Sequence, residues 1–328
     1  MTGEQGAAPS SPAIPVIDEG TLRRAVSPER AVSVMREAFE ADGEGRTRVP
    51  PVINLDLPAV HGEFHVKTAY VEGLPYVAVK VASGFYDNPG RGLPSGSGLM
   101  ALFDASTGFP AALLLDNGFL TDIRTAAAGA LAADLLARRR IDTVGVIGSG
   151  VQAREQVRCL AIVRSFSRVM AWSPTRVNLD RYVADMAAAG FHVDAAPGAE
   201  DVCRSADVLI TATPARGPIV EADWLREGVH VTALGSDSPG KQELSPGCLA
   251  KADLVVVDRL DQCAAFGELR HALDAGLVTR GDVHAELGEI AAGRKPGRTA
   301  DRQITIADLT GVGFQDTAIA SAVFGLLR

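Results

Sequence analysis

The stretch Thr143-Val144-Gly145-Val146-Ile147-Gly148-Ser149-Gly150-Val151-Gln152-Ala153 decides the fold. An apolar, β-branched run ends in a G-x-G-x-x-A turn, and a helical pattern follows from Val151. That order supplies a tight turn, room for a pyrophosphate against the backbone, and a helix N-terminus whose unpaired N–H groups attract an anion. A glycine triplet alone is weak, but these flanks are the ones dinucleotide binding requires. Gly148, Gly150, Val151, Gln152 and Ala153 are therefore candidate cofactor residues.

Downstream, short apolar runs alternate with helical segments: TVGVIG, RVMAW, HVDAA, DVLITAT, VHVTALG and DLVVVD. This is the rhythm of a doubly wound parallel sheet. An acid usually stands at the tip of the second strand to hold the adenosine ribose. Here the tip reads Ser173-Pro174-Thr175-Arg176, and a hydroxyl with an arginine leaves NADP as plausible as NAD. Ligands of such sheets sit beyond the carboxyl ends of the strands, which brings Ala212, Thr213, Gly235, Asp237 and Lys241 to the crevice. Asp237 otherwise only caps a turn. The late segment QITIADLTGVGF and the closing helix follow the completed sheet and are expected to rejoin the first domain.

Upstream, Ser27-Pro28-Glu29 offers a helix cap, a proline at the first helical position and an early acid. Residues 49–115 read as short strands broken by Gly and Pro, an antiparallel β region. Lys67 and Lys80 sit inside two of its apolar runs. Alternation puts Lys80 on the face opposite Val79 and Val81, so it is either exposed or serves a site. The segment TDIRTAAAGALAADLLARRR reads as a helix with Arg138, Arg139 and Arg140 as a solvated end. Arg124 sits near its start against the helix dipole's preference, and clamping a carboxylate is one reason for it.

Composition narrows the function classes. The 328 residues suggest about two domains. The net charge of −8 repels polyanions and aromatics are only 5%, so nucleic acid is not an expected partner. Four scattered cysteines fit a reducing compartment, and no run approaches a membrane span or a signal peptide. The expectation is a cytoplasmic protein with a flexible tail over residues 1–13. The histidines offer no metal-ligand spacing beyond His61 and His65 on a strand, so no metal is expected.

Taken together, TDIRTAAAGALAA, GSGVQA, ALGSDSPGKQEL and TGVGFQDTAIA resemble the ornithine cyclodeaminase and μ-crystallin family over nearly the whole chain. HGEFHVKTAY and KVASGFYDNPGRGLPS are most similar to its cyclodeaminase-like branch found with ectoine-utilisation enzymes. The resemblance implies a nicotinamide cofactor, NAD or NADP, an L-amino acid or imine held between two domains, and a homodimer built on the β region. It implies that Arg48, Lys80 and Arg124 hold the α-carboxylate and that Lys67 lines the same pocket. Asp237 would be the acid/base at the reacting nitrogen, with Lys80 beside it, and Ser95 and Thr125 would join the cofactor residues.

The expected architecture is α/β: a Rossmann-type doubly wound domain over 126–305, and a discontinuous α+β substrate-binding and dimerisation domain over 1–125 and 306–328. The favoured activity is cyclisation of an L-diamino acid with ammonia release, through transient hydride transfer to bound NAD(P). An NAD(P)H-dependent ketimine reductase or alanine-type dehydrogenase is the alternative, and a non-catalytic dinucleotide or small-ligand binder the third.

Overall fold

The computed structural model describes residues 13–328; residues 1–12 of the expected tail lie outside them. The run Thr143–Ile147 forms a fully buried strand inside an eight-stranded sheet. Across that sheet the order is Val193–Ala195, Arg168–Trp172, Thr143–Ile147, Val208–Thr211, His230–Ala233, Thr305–Asp308, Leu254–Val257 and Ala285–Glu286. Every pairing is parallel. The chain winds outward from Thr143–Ile147 in one direction and then in the other, so the strand order reverses between that strand and Val208–Thr211. A crevice opens at such a switch point, beyond the carboxyl ends of the strands.

One boundary expected from the sequence is corrected. QITIAD does not leave the sheet: Thr305–Asp308 pairs with His230–Ala233 on one side and Leu254–Val257 on the other, all four of its residues buried. Strand order across a sheet is a long-range property, and a four-residue run carries no mark of the gap it fills. The chain returns to the first domain only with the helix Gly313–Leu326, which packs on Gly62–Val71 and Tyr76–Phe85.

The first domain is a seven-stranded sheet in the order Val16–Asp18, Pro110–Leu115, Gly96–Asp104, Tyr76–Phe85, Gly62–Val71 and Thr47–Arg48, with Ile53–Leu57 also on Gly62–Val71. Its pairs are antiparallel except the first, which is parallel and was not expected. Lys67 stands directly opposite Lys80 in the register, so both side chains share one face. That face is the buried one: Ala69, Ala78, Met100 and Leu102 share it and the helix Gly313–Leu326 covers it. Val77, Val79 and Val81 point the other way and remain partly exposed.

The helix Pro28–Gly43 starts as expected, with Ser27 Oγ accepting from Arg30 N. Phe119–Leu136 starts two residues before Thr121 and stops before the arginines. Arg138 is no solvated helix end, because it pairs with the carboxylate of Asp207. Among the described residues no helix is long and apolar enough to cross a membrane.

Candidate active site

The glycine turn builds the cofactor end. Gly148 has φ +118°, and a Cβ there would lie 2.6 Å from the Ala212 carbonyl oxygen, so two strand tips meet at a separation only glycine permits. Gly150 caps the helix Val151–Val163 without any side-chain cap, and a Cβ on it would meet open space. The free N–H groups of that first turn thus face an empty approach, which suits a pyrophosphate. Thr213 N and Gly235 N are held at 2.6 and 2.9 Å by the buried carboxylate of Glu243, which also accepts from Thr211 Oγ1. Ser173 Oγ lies 3.0 Å from Ser149 Oγ, and Arg176 is a surface residue paired with Asp180. Ala153 is buried and serves helix–sheet packing rather than facing the crevice.

Beside this crevice lies a cavity of about 190 Å³ between the two domains, lined by His65, Lys67, Lys80, Arg124, Gln152 and Asp237 among others. Lys80, only 3% exposed, places Nζ 2.9 Å from Asp316 Oδ2. Arg124, in the second turn of its helix, donates Nε to Asp316 Oδ1 at 2.9 Å and Nη1 to Gln315 Oε1 at 2.9 Å. Burial pushes the Lys80 ammonium down to about 7 despite Asp316. Burial would raise the Asp316 carboxyl, but Lys80 and Arg124 outweigh it and hold it below its usual range. The Lys67 ammonium donates to the Gly311 and Thr310 carbonyls at 2.7 and 3.2 Å, and burial lowers it too.

Asp237 stands at the mouth with 51% of its side chain exposed, and Lys241 Nζ donates to its Oδ1 at 2.7 Å. Lys241, expected among the cofactor residues, is the partner of Asp237. Against the opposing pull of burial, each holds the other charged: Asp237 is lowered and Lys241 raised. Thr125 lines the cavity and donates to Thr121 O. Gln152 Nε2 donates to Asp122, while its Oε1 is buried with no partner among the described residues. An orphaned amide oxygen at the junction of crevice and cavity is a ready acceptor, and with the uncapped helix it fits a nicotinamide dinucleotide.

Two assignments are not met. Arg48, exposed at the edge strand Thr47–Arg48, turns its guanidinium back onto the Gly45 and Thr47 carbonyls and does not line the cavity. Ser95 is exposed and also lies off it. His61 and His65 do not converge: His61 meets Asp87 on the surface, whereas His65 reaches the cavity wall. His65 and Asp316 were missed as site residues. Asp316 did leave a signal, as the single acid in the apolar run GFQDTAIASAVFGLL.

The family model described as the ornithine cyclodeaminase/mu-crystallin family matches residues 21–327. The chain belongs to that family. It is 44% identical to an uncharacterized cyclodeaminase of Sinorhizobium fredii, over 95% of this chain and 96% of that one. An alanine dehydrogenase of Archaeoglobus fulgidus is 37% identical over 94% of each chain. Among solved structures, the Δ1-pyrroline-2-carboxylate reductase of Thermococcus litoralis in complex with NADH and L-proline superposes with a TM-score of 0.92 at 29% identity, covering 95% of this chain and 97% of that one. An archaeal alanine dehydrogenase dimer with bound NAD gives 0.89 at 35% identity, covering 95% of each. Membership bears out the resemblance read from the sequence, and the NAD- and NADH-bound relatives agree with the expected cofactor class.

Proposed function

We propose that this family member is an NAD(P)H-dependent reductase of a small α-imino acid, acting in reverse as an L-amino-acid dehydrogenase. The observation that carries this is the charge balance of the cavity. Asp316 is outnumbered by Lys80 and Arg124, and Asp237 is paired one to one with Lys241. Glu63 beside the wall accepts from Tyr86 and meets His65. Lys67, in contrast, is a buried ammonium on two neutral carbonyls. Around Asp316, three buried cations thus face one carboxylate, and the local excess of positive charge suits the carboxylate of a substrate.

In this reading Lys67, Lys80 and Arg124 hold the substrate carboxylate and orient the C=N bond. The glycine turn, Thr213, Gly235 and Gln152 hold the dinucleotide, which when bound supplies the hydride that Cα receives. Proton traffic at the substrate nitrogen falls to Asp237, with Lys241 keeping its carboxylate ionised between turnovers. The domain interface excludes water from the buried cations, which strengthens their grip.

The cyclodeaminase reading shares the cofactor and the carboxylate clamp. It is favoured by the similarity to the Sinorhizobium cyclodeaminase and by the half-exposed side chain of Asp237, which a side-chain amine can reach. The association with ectoine utilisation rests on the first-domain motifs and belongs to this proposal.

The functional unit is proposed to be a homodimer. Val77, Val79 and Val81 on the outer sheet face, with the exposed Ile53 and Leu55, leave apolar surface for a second copy. Light scattering should return twice the chain mass. For the reaction, NADH and NADPH oxidation is followed with Δ1-pyrroline-2-carboxylate, iminosuccinate, and pyruvate plus ammonia. Sustained oxidation with at least one imine supports the reading, and none across the panel contradicts it.

A further inference from the structure

Asp258 does not line the cavity, yet it shapes the cavity wall. It follows the strand Leu254–Val257 and is fully buried. Its Oδ2 accepts from the backbone N–H of Thr310 at 2.8 Å and of Gly311 at 2.6 Å. Its Oδ1 accepts from Thr310 Oγ1 and Arg259 N, both at 2.9 Å, and from Cys263 Sγ at 3.2 Å. With its N–H groups gripped from behind, the Thr310–Gly311 turn presents two successive carbonyls forward, and both land on Lys67 Nζ.

The turn has little freedom to move. Gly311 has φ +77°, and a Cβ on it would lie 2.7 Å from Arg124 Nη1. Gln262 Nε2 bridges Thr310 Oγ1 and the Gly311 carbonyl at 2.9 and 2.8 Å. An ammonium has three N–H donors. Two are spent on the turn, and the geometry leaves the third for the cavity that Lys67 lines.

We propose that Asp258 is a positioning residue: by folding the Thr310–Gly311 turn it aims the remaining N–H of Lys67 at the substrate carboxylate. This rests on reading the cavity as the imino-acid site. Among the described residues, no other carboxylate accepts from the Thr310–Gly311 turn.

The test is a double-mutant cycle of Lys67→Gln and Asp258→Asn, measured as substrate KM and kcat with whichever imine of the panel is turned over, beside NADH affinity by fluorescence. Asp258→Asn should raise KM with NADH affinity unchanged, and the loss in kcat/KM should approach about 100-fold, as for a misplaced binding group. In the Lys67→Gln background the same substitution should change kcat/KM by less than about twofold, because coupled residues do not add. An unchanged KM in Asp258→Asn, or a loss that adds in full to that of Lys67→Gln, overturns the proposal alone. An unchanged KM in Lys67→Gln itself overturns the cavity reading and this proposal with it. Should Asp258→Asn fail to fold and bind no NADH, Gln262→Met loosens the same turn. It should raise KM only while Lys67 is present, and an unchanged KM there overturns the proposal.

Discussion

Asp316 Oδ2 lies 2.9 Å from Lys80 Nζ, and the pair joins the last helix of the chain to the middle of the first sheet across 236 positions of sequence. The same carboxylate holds Arg124, so its loss strands two buried cations. Asp316→Asn should lower the unfolding free energy by about 3–5 kcal/mol and abolish turnover. Lys80→Met combined with Asp316→Asn should cost less stability than Asp316→Asn alone. Urea denaturation of the three proteins checks both, and equal stability of the double and single variants would contradict the charge argument.

Lys241 holds Asp237 below its usual range. In the direction of amino-acid oxidation, where Asp237 must be ionised to take a proton, activity is lost as pH falls. Lys241→Met removes the stabilising charge, so the acid limb of the kcat/KM profile should move to higher pH. A limb that stays in place would remove Lys241 from the proton machinery.

Beneath the crevice, burial pushes Glu268 up to about 9 from an ordinary 4.5, with Asp308 and Glu243 adding to the rise. A carboxyl raised in the folded state contributes stability that is full below 4.5 and is lost as pH climbs through about 9. Melting temperatures should therefore fall from pH 5 towards pH 9, and Glu268→Gln should flatten that fall. Parallel profiles for the two proteins would contradict this.

The proposed ribose end of the crevice gives a fourth expectation. Ser173 Oγ meets Ser149 Oγ across the strand tips, and no acid bonds to either hydroxyl among the described residues. Ser173→Asp should shift the ratio of kcat/KM values towards NADH and away from NADPH by at least about tenfold, through repulsion of the 2′-phosphate. An unchanged ratio would show that the ribose is held elsewhere.

Much of this was legible in local sequence because it is local chemistry. The Gly148 turn, the strand before it, the helix after it and the Ser27 cap each depend on a few neighbouring residues. The paired lysines illustrate the limit. Alternation separated Lys80 from Val79 and Val81 correctly, but which face is buried depends on the helix Gly313–Leu326 arriving from the far end of the chain. Thr305–Asp308 was misplaced for the same reason. Arg48 shows a different failure: a motif match names a residue type, while the direction of its guanidinium is set by the Gly45 and Thr47 carbonyls just before it in the chain.

Incubation of the protein with ornithine, lysine, 2,4-diaminobutyrate and alanine, each with excess NAD or NADP, while ammonia and nicotinamide absorbance are recorded together, bears most directly on the cavity's charge balance. An imine reductase and amino-acid dehydrogenase should form NAD(P)H in step with any ammonia released, and should turn over no diamino acid without it. Ammonia released from a diamino acid with no net reduction of the cofactor would contradict that and establish the cyclodeaminase reaction instead.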